Sequence, residues 1–249
     1  MHVKGLNGWM INQTLQFGEY QTSKVKRGWD FKGGFQHTKF NIRPEEMVLR
    51  VFNIETDKRT ITQRNKFQFT IEDGQQTAEV FAMEKFKENQ LVYKSNNPYL
   101  GDVSATKNYE YAFSAAILPI RNTDNEPWSL VLINRYDAKN DTARNLFDRP
   151  YVEEEGYASN GKESIAIRPL NIDKVTTANG RNTKVFGGKI LSGYELRIDN
   201  SVIAVIDILD NNVWVYNDLD PSTKLIVSAI TSSILLKRIQ DVRKDTDQE

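Results

Sequence analysis

The chain has no cysteine and only two histidines, His2 and His37, among its 249 residues. Disulfides, thiolate zinc sites and cysteine nucleophiles are thereby excluded, and histidine-based triads or metal centres have almost nothing to be built from. It also lacks a charge of one sign: 33 basic residues balance 33 acidic ones. A neutral chain exerts no long-range pull on nucleic acid or on an acidic membrane surface, so no nucleic-acid partner is expected. Long hydrophobic runs are missing too. The longest, Leu225 to Leu236, lies between Lys224 and Lys237 and falls short of the ~20 residues needed to cross a bilayer as a helix. The start, Met1-His2-Val3-Lys4-Gly5, has no apolar core of the kind an export signal carries. The compartment stays open, with periplasm or outer envelope of a Gram-negative bacterium expected if such a signal has been removed.

What is present is alternation. Trp9, Ile11, Leu15 and Phe17 alternate with Met10, Asn12, Thr14 and Gln16, and Met47–Ile54, Thr60–Ile71, Thr77–Phe86, Tyr109–Ala115, Trp128–Arg135 and Ser164–Arg168 read as further strands. Glu55-Thr56-Asp57-Lys58 and Glu72-Asp73-Gly74-Gln75 have the composition of turns. Gly33-Gly34 and Gly187-Gly188-Lys189 are turns as well, since neither has the spacing of a phosphate loop. Tyr194–Ile198, Asp199-Asn200 and the strand Ser201–Leu209 form a hairpin pattern. Asp210-Asn211-Asn212 then turns the chain into Val213–Tyr216.

Helical periodicity appears once, at the end. Asp220 is suited to an N-cap and Pro221 to a first helical position, and Leu225 to Ile239 is apolar on every side. A surface helix would keep a polar face, so this one is expected to be buried. Its Ser228, Thr231, Ser232 and Ser233 are expected to return hydrogen bonds to their own backbone. The fold expected is all-β: one domain over residues 1–249, an antiparallel barrel of about ten strands holding the C-terminal helix, with a sandwich plugged by that helix as the alternative. Residues 136–162, with a short helix at 141–147, and 171–188 read as long loops, and 241–249 as a charged, frayed tail.

The segment Tyr194 to Leu236, two strands, an Asp-containing turn and a fully apolar helix, resembles the tubby-like barrel superfamily, which includes the LURP-one-related proteins and phospholipid scramblases. That resemblance implies a closed barrel around the terminal helix and binding of a lipid or phosphoinositide-type headgroup by surface basic residues. Leu15-Gln16-Phe17-Gly18-Glu19-Tyr20 and Lys26-Arg27-Gly28-Trp29 are similar to the mature start of Bacteroidota envelope lipoproteins, whose lipid-bearing cysteine is missing here.

Candidate sites are few. Lys24, Lys26, Arg27 and Trp29, continuing through Phe31, Lys32, Phe35, Lys39 and Arg43, interleave basic and aromatic residues in the way a phosphate-bearing ligand is held. The plainer reading is a solvated strand edge whose lysines discourage pairing. Glu153-Glu154-Glu155, with Asp148 upstream, lacks the spacing of a calcium loop and reads as a solvated acidic loop. Asp207 lies inside an apolar strand, on the face opposite Val202, Ala204, Ile206 and Ile208. It either pairs with a neighbouring cation or serves as a buried acid in hydrolysis. Tyr99, Tyr136, Tyr151 and Tyr157 either anchor a partner or cap the core. No metal, cofactor or catalytic residue is expected. The function expected is a non-enzymatic binding or structural module, an envelope accessory protein that contacts a protein partner through its loops. Headgroup binding is the alternative and carboxylate hydrolysis the second alternative.

Overall fold

A computed structural model describes residues 1–6, 13–28, 61–93, 103–120, 126–137, 153–176, 180–185 and 189–237. Among the described residues fourteen strands and one helix follow one another. They are β1 (Gln16–Phe17), β2 (Tyr20–Thr22), β3 (Lys26–Arg27), β4 (Ile61–Glu72), β5 (Thr77–Tyr93), β6 (Val103–Pro119) and β7 (Trp128–Asp137). After these come β8 (Glu153–Ser159), β9 (Ser164–Ile172), β10 (Lys174–Thr176), β11 (Asn182–Lys184), β12 (Ile190–Ile198), β13 (Ser201–Asp207), β14 (Asn212–Val215) and α1 (Pro221–Leu235).

Eleven strands run in the antiparallel order β1-β2-β4-β5-β6-β7-β8-β9-β12-β13-β14, with β3 paired to β4 alongside. The two ends of this sheet are drawn together by the first residues of the chain. On one side Val3 N donates to Asn211 O and Val213 N to Met1 O, both at 2.8 Å; on the other, Lys4 N donates to Gln16 O at 2.9 Å. The result is a nearly closed barrel, which leaves little open edge for unwanted pairing.

Alternation fills the inside. Phe67, Phe69 and Ile71 of β4, Ala78, Val80 and Ala82 of β5, Phe113, Ala115 and Ile117 of β6, and Trp128, Leu130 and Leu132 of β7 form one buried cluster. The same cluster takes in Leu225, Ile226, Val227, Ala229, Ile230 and Ile234 of α1. The helix packs mainly on β5 and also touches β4, β6 and β14. Small side chains at 78, 82 and 115 make room for it, so the barrel interior is a packed core. The outward faces of β5 and β6 are covered as well, with Met83, Ala112 and Ala116 in a second small cluster.

Turn chemistry sets the registers. Asp199 and Asn200 both take left-handed conformations (φ 48° and 68°), as a two-residue hairpin turn requires. Asp73 Oδ1 accepts from Gln75 N at 2.8 Å and Gln76 N at 2.7 Å, closing the turn between β4 and β5. At the helix start, Asp220 Oδ1 accepts from Thr223 N at 3.0 Å and Pro221 follows as the first helical residue. Partial burial pushes the Asp220 carboxyl up, but the hydrogen bonds from Ser222 and Thr223 outweigh that and hold it down at about 2, from 3.8. A lowered folded-state value stabilises above the unfolded value, and that stabilisation is lost as pH falls from about 4 through 2. Asp220→Ala should lower unfolding free energy by about 1 kcal/mol at neutral pH. The gap should narrow in urea titrations at the acid end; an equal gap at every pH would remove the charge from the account.

Several expectations change. The stretch 136–162 is not one loop: β7 runs to Asp137 and β8 occupies Glu153–Ser159, paired to β7 and β9. Gly156 lets β8 fit there, since a Cβ would collide with the Leu132 side chain and the Val131 carbonyl. Within 171–188, β9 continues to Ile172 and β10 and β11 form a separate ribbon. The helix stops at Leu235 rather than Ile239. Among the helix hydroxyls, Ser233 returns a 2.7 Å bond to Ala229 O, whereas those of Thr231 and Ser232 are buried with no hydrogen-bond partner among the described residues. In β13 a register shift pairs Arg197 with Val202 but Leu196 with Ala204. That shift turns Val202 outward and Ile203 inward, contrary to simple alternation. The expected strand Met47–Ile54, the turns at 55–58 and 33–34, Gly187-Gly188, the helix at 141–147 and the tail 241–249 lie outside the described residues.

Candidate functional site

Polar side chains enter the barrel interior at the level where α1 ends. Tyr111 of β6, Asn134 of β7 and Glu154 of β8 are direct cross-strand neighbours, since Asn134 is paired with both of the others. Each takes the inward position in its strand's alternation, beyond Phe113, Leu132 and Gly156. All three are buried, as is Tyr194 of β12. Glu84 of β5 is also completely buried.

Lys237, just past the helix C-cap Leu236, reaches into this layer. Its Nζ donates to Glu154 Oε1 at 2.6 Å and to the Tyr194 hydroxyl at 2.7 Å. The Tyr194 hydroxyl in turn donates to Glu154 Oε2. Three rings surround the ammonium, with Nζ 4.7 Å from the centre of Tyr194, 5.6 Å from Tyr111 and 6.0 Å from Phe113. Such faces favour a cation. A second cation finishes the helix: Arg27 Nη2 donates to Leu236 O at 2.9 Å while its guanidinium lies 5.0 Å from the centre of Phe67. Carbonyls at a helix C-terminus lack internal partners and carry partial negative charge, so both cations are well placed.

Burial, then the Glu154 charge and hydrogen bond, lifts the Tyr194 phenol well above its ordinary range. The Tyr111 phenol is lifted too, by burial first and then by the charges of Glu84 and Glu154 and by Tyr194. Both phenols are therefore donors, not bases, at neutral pH. Tyr194 spends its proton on Glu154, and Tyr111 Oη and Asn134 Oδ1 have no hydrogen-bond partner among the described residues. Chemically the constellation is a clasp: an ion pair, a bridging phenol and an arginine cap tie the helix end to β3, β8 and β12.

Of the predicted site residues, Arg27 joins this clasp, Lys24 and Lys26 lie exposed at and beside β3, and Trp29 lies outside the described residues. The expectation that Glu153-Glu154-Glu155 forms a solvated loop is overturned for Glu154, which is 3 % exposed inside a strand. Asp207 has no cation paired with it among the described residues: its Oδ1 accepts from Leu209 N at 2.9 Å and Asp210 N at 3.2 Å, holding the β13–β14 turn. Tyr136 lies in β7 and Tyr157 in β8, where Tyr157 is turned outward and exposed; Tyr99 and Tyr151 lie outside the described residues. Sequence reading missed Glu154, Tyr194 and Lys237 as a set. The signal available was the spacing Glu154-Gly156-Ala158, small residues alternating with one acid, and a lysine closing an apolar helix.

The outer surface carries a different feature. Trp214 is 53 % and Tyr216 56 % exposed, and Val202, near the start of β13, and Leu209, just past its end, are exposed as well. Trp214 lies opposite Val205, and Tyr216 N donates to Ile203 O at 2.8 Å. Among the described residues no helix is long and apolar enough to cross a membrane, and no group of three acidic or histidine side chains is gathered as metal ligands. In comparisons with known proteins, no family model, curated protein or solved structure matches the chain significantly.

Proposed function

We propose that this chain is a non-enzymatic binding module that engages a protein partner over the outside of its barrel. One observation carries the reading: α1 fills the interior, while Trp214, Tyr216, Leu209 and Val202 stand in water on one hairpin. Large aromatics exposed together are costly to a monomer and serve as anchors in interfaces. The buried polar groups support it from the other side, since Lys237, Glu154 and Tyr194 are spent on one another. The envelope location and the tubby-like relationship belong to the same proposal.

A gentle capture from the native host, from soluble and detergent-extracted membrane fractions, tests the reading. A partner should be recovered in fixed ratio, and the double variant Trp214→Ser, Tyr216→Ser should lose it while unfolding at an unchanged denaturant midpoint. Recovery of the chain alone from both fractions would contradict it. Headgroup binding is the second reading, favoured by the exposure of Lys24 and Lys26. Arg27 weakens it, because its guanidinium already holds Leu236 O. Neutralising Lys24 and Lys26 should abolish sedimentation with anionic vesicles on that reading, and an absence of vesicle binding in the parent protein would sink it.

A further inference from the structure

Between β9 and β12 the chain leaves the barrel as a two-stranded ribbon, β10 and β11, which forms a sheet of its own. Every residue of both strands is exposed. From 174 to 190, just after Asp173, the sequence has four cations, Lys174, Arg181, Lys184 and Lys189, and no acid, in a chain whose 33 basic and 33 acidic residues cancel as a whole. Register places Lys174 directly opposite Lys184. Like charges facing each other across a pair destabilise it, yet Thr176 and Asn182 at the other end are joined by a 2.9 Å side-chain bond that keeps the ribbon together. Val175, between Lys174 and Thr176 on its strand, is 42 % exposed.

We infer that the β10–β11 ribbon is a docking arm for an extended acidic segment of a protein partner. The inference rests on the binding-module reading and names the chemistry of what it binds. Neither strand has another strand of the described residues beside it, so main-chain groups are available to a segment that adds as a third strand. Charge decides which segment. A second copy of the ribbon would set lysines against lysines and is repelled. An acidic strand instead neutralises the Lys174–Lys184 pair and removes the repulsion the free ribbon carries. Alternation in the incoming segment, acid then hydroxyl or small apolar residue, would match the period of β10, where Lys174 and Thr176 share one face and Val175 takes the other.

The test uses the full chain and a labelled synthetic peptide of alternating glutamate and threonine. Fluorescence anisotropy should show binding that weakens as salt rises toward about 0.5 M. The variant Lys174→Glu, Lys184→Glu keeps a like-charge pair at the facing positions, inverting the sign of that pair and neutralising the segment 174–190 as a whole. It should bind the glutamate peptide about tenfold or more weakly and gain binding to an alternating lysine–threonine peptide. Equal affinity of parent and variant for the glutamate peptide would overturn the inference. So would binding of the parent to vesicles of phosphatidylcholine and phosphatidylserine without binding of the peptide, which would assign the arm to a lipid surface. Partner capture is a separate readout. If the charge-reversed variant keeps both its partner and its peptide affinity, the module reading stands and the ribbon falls. If the parent captures nothing, the module reading fails whatever the peptide does.

Discussion

Lys237→Met is expected to lose about 3–5 kcal/mol of unfolding free energy, read as a shift of the urea midpoint at constant slope. The size follows from what the lysine leaves behind. Glu154 is 3 % exposed, and its Oε1 would lose the 2.6 Å bond from Nζ, keeping, among the described residues, the Tyr194 hydroxyl on Oε2. Removing one member of a buried pair strands the other charge in a poor solvent, which costs far more than the pair contributes when intact. The asymmetry gives a second observable. Glu154→Leu combined with Lys237→Met replaces the pair by apolar groups and should recover most of the loss, so the two changes are strongly non-additive. Tyr194→Phe, which removes one donor, should cost less, about 1–3 kcal/mol. A Lys237→Met variant within about 1 kcal/mol of the parent would mean that the clasp contributes like an exposed pair and that the helix end is held by packing alone.

Ile230→Asp is expected to abolish cooperative folding. Ile230 is fully buried within a run in which Leu225 to Ile234 are all buried, so no face of the helix can turn the carboxylate to water. Burying an unpaired carboxylate costs several kcal/mol even after relaxation, and the lost methyl groups add the cavity term of a large-to-small change, about 2–5 kcal/mol for isoleucine to alanine. Together these approach the whole stability of an ordinary domain, about 5–15 kcal/mol. Ile230→Val, losing one methylene, sets the scale at about 0.5–1.5 kcal/mol. A soluble Ile230→Asp protein with a sharp urea transition and near-parent midpoint would place the helix outside the barrel.

How much of this was legible in the sequence depended on locality. The Asp199-Asn200 turn, the Asp73 turn and the Asp220-Pro221 helix start are written in two to four consecutive residues, and each forms as expected. The apolar helix announced its burial because no stripe of polar residues exists to face water. Extra strands were hidden for the same reason in reverse. The strand β8 reads Glu-Glu-Glu-Gly-Tyr-Ala-Ser, a loop composition whose strand state comes from pairing on both sides. Long-range pairing overrides local propensity in this way. The clasp was illegible because Arg27, Glu154, Tyr194 and Lys237 are brought together only by barrel closure. Arg27 was singled out for its charge, but the partner it meets is a main-chain carbonyl, which no side-chain pattern reveals. Simple alternation also failed at Val202, where one bulge exchanged the inside and the outside of the strand.

The proposed recognition over the outer surface depends on α1 occupying the barrel interior. Native-state hydrogen exchange across 225–234 tests that most directly. These amides should exchange only through global unfolding, with the same free energy as the central strands β5 and β6 and the same response to urea. Exchange as fast as that of the exposed β10–β11 ribbon, under conditions where the strands remain protected, would contradict it and reopen the interior as a binding site.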